Sequence, residues 1–192
     1  MIELIAVFGL GAMGWSASEY GMHRFVGHRK GSRLPFALEH TAHHAKAGYF
    51  TPNSKKVRMA SAVLLPLWAV LCLITGVLIG SVFVAGYVAA YVGYEWAHHR
   101  MHTRPPTTRM GAWLRKHHFG HHYHHPSKNH GVTSPLWDVV FRTYRPVEKV
   151  HVPEKMVRKA IPWLVNPETG DVHSQFAQDY ALRRKRVKAS VS

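Results

Sequence analysis

The sequence predicts an all-α integral-membrane fold of about three transmembrane helices, one at the amino end and two in a hairpin, with a cytoplasmic helical cap rich in histidine. Three observations carry that expectation. Residues Ala60–Gly93 contain no charged side chain, a run well beyond the roughly 20 residues that one bilayer crossing needs. Met1–Met22 is a second apolar stretch, rich in Gly and Ala. All 17 histidines fall outside both runs, most of them in short clusters. At 192 residues the chain suits one domain with a real core, so 1–192 is read as a single unit: a crossing at 1–22, a hairpin at 59–97, and a cap from 23–58 and 98–192.

Charge narrows the partners. The chain has 25 Lys and Arg against 10 Asp and Glu, a formal charge of +15. Such an excess favours a polyanion, either nucleic acid or the anionic face of a membrane. The uncharged run decides for the membrane, and no nucleic-acid-binding motif is present. The single cysteine, Cys72, excludes an intrachain disulfide and any cysteine-built zinc or iron–sulfur site, and reads as a small hydrophobe.

Within Met1–Met22, Gly9, Gly11 and Gly14 suit close helix packing. A cleaved signal peptide is the rival reading, but the amino end carries Glu3 and no Lys or Arg. Arg24, Arg29, Lys30 and Arg33 follow, so the positive-inside rule puts the helix's carboxyl end in the cytoplasm. His23 and His28 then stand five apart, about 140° around an ideal helix. They share a site only if the helix bends or ends between them, and Gly27 with Arg29–Gly31 supplies an ending.

His40, His43 and His44 fall at i, i+3 and i+4, on one helix face. Three imidazoles so placed repel or desolvate one another unless they bind something; the alternative is a solvated histidine face. Pro52–Ser54 marks a turn, and Lys55, Lys56 and Arg58 return to the basic side. The long apolar run breaks at Thr75–Gly76 or Gly80–Ser81, giving a hairpin of Met59–Gly76 and Leu78–Ala97. Only a hairpin returns His98 and His102 to the compartment that holds the earlier histidines.

His98 and His102 are an i, i+4 pair with Glu95 one turn earlier, and Pro105-Pro106 ends their helix. His118, His121 and His122 repeat the HxxHH spacing, and His121, His124 and His125 offer an overlapping register. Ser134 as N-cap and Pro135 at the first helical position start a short helix through Phe141. Val152–Ala160 and Asp171–Arg186 read as further helices, with Arg183–Arg186 solvated or facing headgroups. Trp113, Trp137 and Trp163 either anchor at the interface or pack. Dense imidazole is rarely a packing solution, because a buried neutral ring needs two partners and a protonated cluster repels itself. A bound transition metal removes both problems, and an all-nitrogen donor set suits Zn, Fe, Cu or Ni.

This pattern resembles the fatty acid hydroxylase/sterol desaturase superfamily of integral-membrane di-iron enzymes. The matching residues are HRFVGH (His23–His28), HTAHH (His40–His44), HHRMH (His98–His102), HFGHH (His118–His122) and the sequel NHGVTSPLWDVVFRTY (Asn129–Tyr144). The resemblance implies ten ligands to two metals: His23, His28, His40, His43, His44, His98, His102, His118, His121 and His122. It implies two iron ions, with zinc able to stand in for them in a purified sample, and dioxygen as co-substrate. The implied reaction is hydroxylation or desaturation of an acyl or sterol-like lipid, with electrons from an external ferredoxin or cytochrome b5-type donor with its reductase. Zinc cannot change redox state, and ten ligands exceed a structural zinc's four.

The chain departs from the pattern in one fewer helix than the usual four, in His99 and Thr103, and in Arg142 where a glycine is expected. Glu19 and Glu95 are candidates to orient ligand rings through their free N–H groups. Asp138 and Glu39 are further candidates, for which a cap or surface charge is the better reading. His117, His124, His125 and His130 are read as interface-facing or hydrogen-bonded surface residues, and His99, His151 and His173 as structural. Two other functions stay open. One is a carotenoid ring hydroxylase, supported by the four boxes and by Gly48-Tyr49-Phe50. The other is a non-enzymatic metal-binding membrane protein, whose ligands would sit near the bilayer midplane.

Overall fold

The structure is a computed structural model that describes residues 1–46 and 48–184. In chain order the helices are α1 (Ile2–Gly21), α2 (Pro35–Ala45), α3 (Asn53–Thr75), α4 (Val77–Thr103), α5 (Arg109–Tyr123), α6 (Leu136–Val140) and α7 (Glu154–Ala160). Strand β1 (Val150–Pro153) precedes α7, and β2 (Tyr180–Arg183) closes the described chain.

Glycines arrange the long helices. α3 stops at Gly76, whose φ of 84° and ψ of 156° are open only to glycine, so the chain reverses there and α4 returns along α3. The reversal is where the sequence places it. Both helices extend further on the basic side than Met59 and Ala97, because the first real stops are Pro52 and Arg104, the latter forced extended by Pro105. Near the tip, Trp68 Nε1 donates to Ser81 Oγ at 3.0 Å across the pair.

α1 lies against α4 through two reciprocal glycines. A Cβ on Gly11 would stand 2.0 Å from the Phe83 carbonyl oxygen, and one on Gly86 would stand 2.0 Å from the Phe8 carbonyl oxygen. Trp15 of α1 then fills the widening space by packing on Tyr87, Tyr91 and Tyr94. Among the described residues α3 and α4 are long and apolar enough to cross a membrane. α1 has the length, 20 residues, but Glu3, Glu19 and its glycines dilute it below the same hydropathy.

The cap is not wholly helical, a correction to the all-α expectation. Val150–Pro153 and Tyr180–Arg183 form a parallel two-stranded sheet with Val150 opposite Tyr180. Val150 and Val152 alternate inward and are fully buried, a period of two that overrides the helical reading there. The expected helix Asp171–Arg186 is likewise absent over its described part. It holds a short 3₁₀ turn, Ser174–Phe176, and then β2, because Tyr180 is drawn into the cap core. Lys185 and Arg186 lie outside the described residues.

That core gathers Phe119, Val150, Val152, Val157, Ile161, Leu164 and Tyr180. Trp163 belongs to it, packing on Phe176 and donating to the Met101 carbonyl at 3.0 Å, so it packs rather than anchors. Buried Arg115 pins the end of α4 by donating to the Arg100 and Arg104 carbonyls.

The glycine contacts give a direct test. Gly11→Ala and Gly86→Ala are expected to lower the thermal midpoint in detergent, at an overpacking cost of about 1–3 kcal/mol each. Gly9→Ala faces open space and should leave the midpoint unchanged or slightly raised.

Candidate metal centre

The end of α1 makes the first move toward the site. Met22–Gly27 continues the helix with the wider i→i+5 winding of a π-helix. That winding brings residues five apart onto one face, and the His23 and His28 rings lie 5.3 Å apart as a result. No sharp ending between them is needed.

The other ligand candidates come from three helices whose histidines interleave. Ten imidazoles form two groups of five: His23, His28, His40, His44 and His121 in one, His43, His98, His102, His118 and His122 in the other. Within each group the ligand atoms all lie within 4.8 Å of one another. All ten residues named from the sequence are therefore brought together. The HxxHH motifs do not each serve one group, however. α2 sends His40 and His44 to the first group and His43 to the second, and α5 sends His121 to the first and His118 and His122 to the second. The stacked rings of His44 and His122, 4.0 Å apart, join the two.

Hydrogen bonds at the far side of the rings settle where the lone pairs point. Nδ1 of His43 donates to the Tyr49 carbonyl at 2.8 Å, His102 to Ala160 at 3.1 Å, and His121 to Lys128 at 2.7 Å. His23 Nδ1 donates to the His130 carbonyl. Each of these rings then presents a bare Nε2 to its group. Nε2 of His23 and of His121 lie 2.9 Å apart, two acceptors that cannot bond each other. His44 Nε2 and His122 Nε2 are buried without any partner. A cation resolves the conflict. With metal–imidazole bonds of about 2.1 Å, ligands at right angles stand about 3.0 Å apart. The observed Nε2 separations of 2.9 to 3.1 Å match that edge. The donor set fits one metal ion per group.

The carboxylates act one bond further out than the sequence suggests. Glu95 pairs with Lys56 of α3 and touches no ligand ring, which corrects its assignment. Glu19 is buried and accepts from Val132 N at 3.0 Å. Asp138, read as a surface charge or cap, is instead fully buried. It accepts from His130 N and Gly131 N at 2.8 Å each and from Thr143 Oγ1 at 2.6 Å. A Cβ on Gly131 would stand 2.1 Å from the Ser134 carbonyl oxygen, so only glycine fits this fold of the loop. Glu19 and Asp138 thus fix the loop whose His130 carbonyl orients His23. Glu39 does the same for His43, accepting from the Tyr49 hydroxyl while the Tyr49 carbonyl takes the ring N–H. Carbonyl partners leave no side-chain signal, which is why sequence reasoning missed them.

Two histidines expected at the surface are buried. His117 contacts Asp138 at 3.3 Å, and the His130 ring packs 5.2 Å from His121 and 5.3 Å from His23. His124 keeps the expected hydrogen-bonded surface role, accepting from His151 N at 2.8 Å. Burial, and secondarily neighbouring rings, hold His23, His40, His118, His121 and His122 well below the usual imidazole range. They are neutral at pH 7, as metal ligands must be.

Residues 8–143 match the family model described as fatty acid hydroxylase. The chain is 30% identical over 151 residues to a dihydroceramide fatty acyl 2-hydroxylase of Arabidopsis thaliana, covering 74% of this chain and 61% of that protein. It is 32% identical to the fatty acid 2-hydroxylase of Homo sapiens, covering 76% of this chain and 41% of that one. A ceramide very long chain fatty acid hydroxylase of Saccharomyces cerevisiae is also 32% identical, over 72% of this chain and 38% of its own length. The solved structure of full-length scs7p, in which only the hydroxylase domain is visible, superposes with a TM-score of 0.61 at 26% identity. That match covers 76% of this chain and 57% of the other. The chain therefore spans 61% or less of the length of these relatives.

Two outcomes follow from the site. Asp138→Asn replaces one of the two carboxylate oxygens with an NH2 donor, so either the His130 N–H, held by Oδ1, or the Gly131 N–H, held by Oδ2, loses its acceptor. Metal affinity is expected to fall about 10–100-fold, read by competition with a chelator. The second concerns acid. The folded histidines have depressed pKa values, so the folded state binds fewer protons than the unfolded chain, whose histidines titrate near 6.5. Their contribution to stability is complete above about pH 6.5 and is lost as pH falls below it. The thermal midpoint of metal-free protein should therefore drop steeply as pH falls beneath that value.

Proposed function

The chain belongs to the fatty acid hydroxylase family, and from that premise we propose that it is a membrane-bound oxygenase hydroxylating a C–H bond of a lipid acyl chain. The observation that carries the proposal is the paired set of five neutral imidazoles at the ends of apolar helices. The relatives' names point to fatty acyl and ceramide substrates and to the 2-position of the acyl chain, next to its carbonyl. We read α1 as a third crossing beside α3 and α4. Its outward residues Ile2, Ile5, Phe8, Leu10 and Met13 are exposed and apolar, as a lipid-facing surface requires. By the positive-inside rule the histidine site then lies on the cytoplasmic side.

Each part of the chain has a task in this reading. The ten histidines hold two ions, and burial keeps the rings deprotonated and bulk water away. The Tyr49, Lys128, His130 and Ala160 carbonyls fix four rings in the tautomer that leaves Nε2 free. α1 and α4 carry the site to the membrane boundary, where an acyl chain can reach it without leaving lipid. Iron, when bound, supplies the redox chemistry that imidazole lacks. The reaction balances as RH + O2 + 2 e− + 2 H+ giving ROH + H2O, with the electrons from an external ferredoxin or cytochrome b5-type donor.

The alternatives fare less well. The relatives favour acyl hydroxylases over a carotenoid ring hydroxylase. The Gly48-Tyr49-Phe50 sequence has a local explanation: Gly48 turns with φ 75° against the Lys159 carbonyl, and Tyr49 orients His43. Transport is disfavoured because the histidines gather at the ends of the helices rather than halfway along them.

Host lipids provide the test. Expression of the chain with its donor should raise 2-hydroxylated acyl lipids, and His121→Ala should abolish the product and lower bound iron. His99→Ala, outside both groups, should retain both. Unchanged lipids with full iron loading would overturn the assignment.

A further inference from the structure

α6 is not packed as a helix of a water-soluble cap would be. Leu136, Val139, Val140 and Phe141 are 42%, 60%, 56% and 50% exposed, and only Asp138 is turned fully inward. Trp137 reaches sideways to α1, donating Nε1–H to Ser16 Oγ at 3.1 Å, and Phe141 stacks on Tyr20 at 5.4 Å. Ser16 lies nearly one turn below Glu19 and adjoins Trp15, which packs among Tyr87, Tyr91 and Tyr94. The Lys56–Glu95 pair, the charged link between the other two helices, is beside Tyr94 in sequence. α6 therefore hangs along α1 below the first charges, where the apolar surface of the helices begins.

The surface continues onto α5. Met110 is 66% exposed, and beside it an open cleft of about 670 Å³ runs between α5 and the Thr133–Pro135 turn, lined by Trp113, Leu114 and Pro135. Cations rim the patch: Arg109, Arg142, and Arg24, whose guanidinium lies 5.9 Å over Phe141 and 4.9 Å over Phe25. Arg142 holds left-handed backbone, φ 57°, a conformation that non-glycine residues seldom adopt. An exposed arginine kept in such a conformation points to a use.

We infer that α6 and the first turn of α5 form a wedge inserted at the headgroup–acyl boundary, with bilayer lipid as its partner and Arg24, Arg109 and Arg142 on the anionic headgroups. Apolar residues below a cationic rim are the pattern of an interfacial anchor. Continuity with the lipid face of α1 favours the bilayer over a second copy of the chain. The wedge sets the height of the cap, and so of the histidine site, above the acyl chains. It rests on the reading that α1, α3 and α4 cross the membrane.

Site-directed nitroxides test it in the metal-loaded full chain, reconstituted in phosphatidylcholine–phosphatidylglycerol vesicles. With Cys72→Ser as background, single labels are placed by Val140→Cys on α6, Val63→Cys on α3 and Ser127→Cys on the cap. Relaxation by oxygen, which concentrates among acyl chains, is compared with relaxation by a water-soluble nickel chelate. The ratio of oxygen to nickel accessibility at Val140 should match Val63 and exceed Ser127 several-fold. A Ser127-like ratio at Val140, with Val63 still lipid-like, overturns the wedge alone. Dipolar broadening between labels at Val140 assigns the face to a second copy and overturns it too. A water-like ratio at Val63 defeats the spanning reading and the wedge together. Val139→Cys repeats the measurement, so that local unfolding at one label cannot decide it.

Discussion

Neutral imidazole lone pairs, turned toward one another at hydrogen-bond distance, are the constraint around which this protein is built. Rings such as His23 and His121 have spent their only N–H on backbone carbonyls, so their Nε2 atoms confront each other with nothing to donate. Such an arrangement survives only if a cation is its intended occupant, or if the surrounding scaffold is stiff enough to hold it. The cap supplies the stiffness. Phe119 roots α5 in a dry core on one side while His118, His121 and His122 extend from the same helix into the site.

The loop from Asn129 to Arg145 is the other half of that scaffold. Asn129 bridges the Arg145 backbone twice, accepting from its N–H and donating to its carbonyl, both at 2.7 Å. Asp138 collects the amides of His130 and Gly131, and Thr143 links Asp138 to the Tyr20 hydroxyl at 2.7 Å. Buried donors left without these acceptors would each cost about 1–3 kcal/mol, so the loop has little freedom to deform. Through Glu19, Tyr20 and Ser16 it is tied to α1. Membrane helix, loop and ligand ring form one connected structure, which is how a site assembled from residues 23 to 122 keeps its geometry.

Division of labour among the acidic residues follows from the same logic. A carboxylate directly on a ligand ring would add negative charge inside a site where ten rings already supply the donors. Carbonyl acceptors orient the rings without that charge, and Glu19, Glu39 and Asp138 hold the segments that carry the carbonyls. Glu95 is the exception, spent on Lys56 to hold α3 against α4.

Much of this was legible in the chain itself. The uncharged run, a break at Thr75–Gly76 and the helical spacing of the histidines in each cluster are local patterns, and local patterns survive translation into structure. The full set of ten ligand candidates and the weight given to Asn129–Asp138 came from the family resemblance. What the sequence could not disclose depended on partners distant along the chain. The sharing of each HxxHH motif between two groups follows from how α2 crosses α5. The π-winding that joins His23 to His28, the carbonyls that fix the rings, and the strand pairing of Val150 with Tyr180 come from backbone groups that every residue possesses. Residue identity alone therefore determined which atoms could bind a metal. Only the packing of helices and loops decided which of them face the same point, because convergence in space is a property of the whole fold.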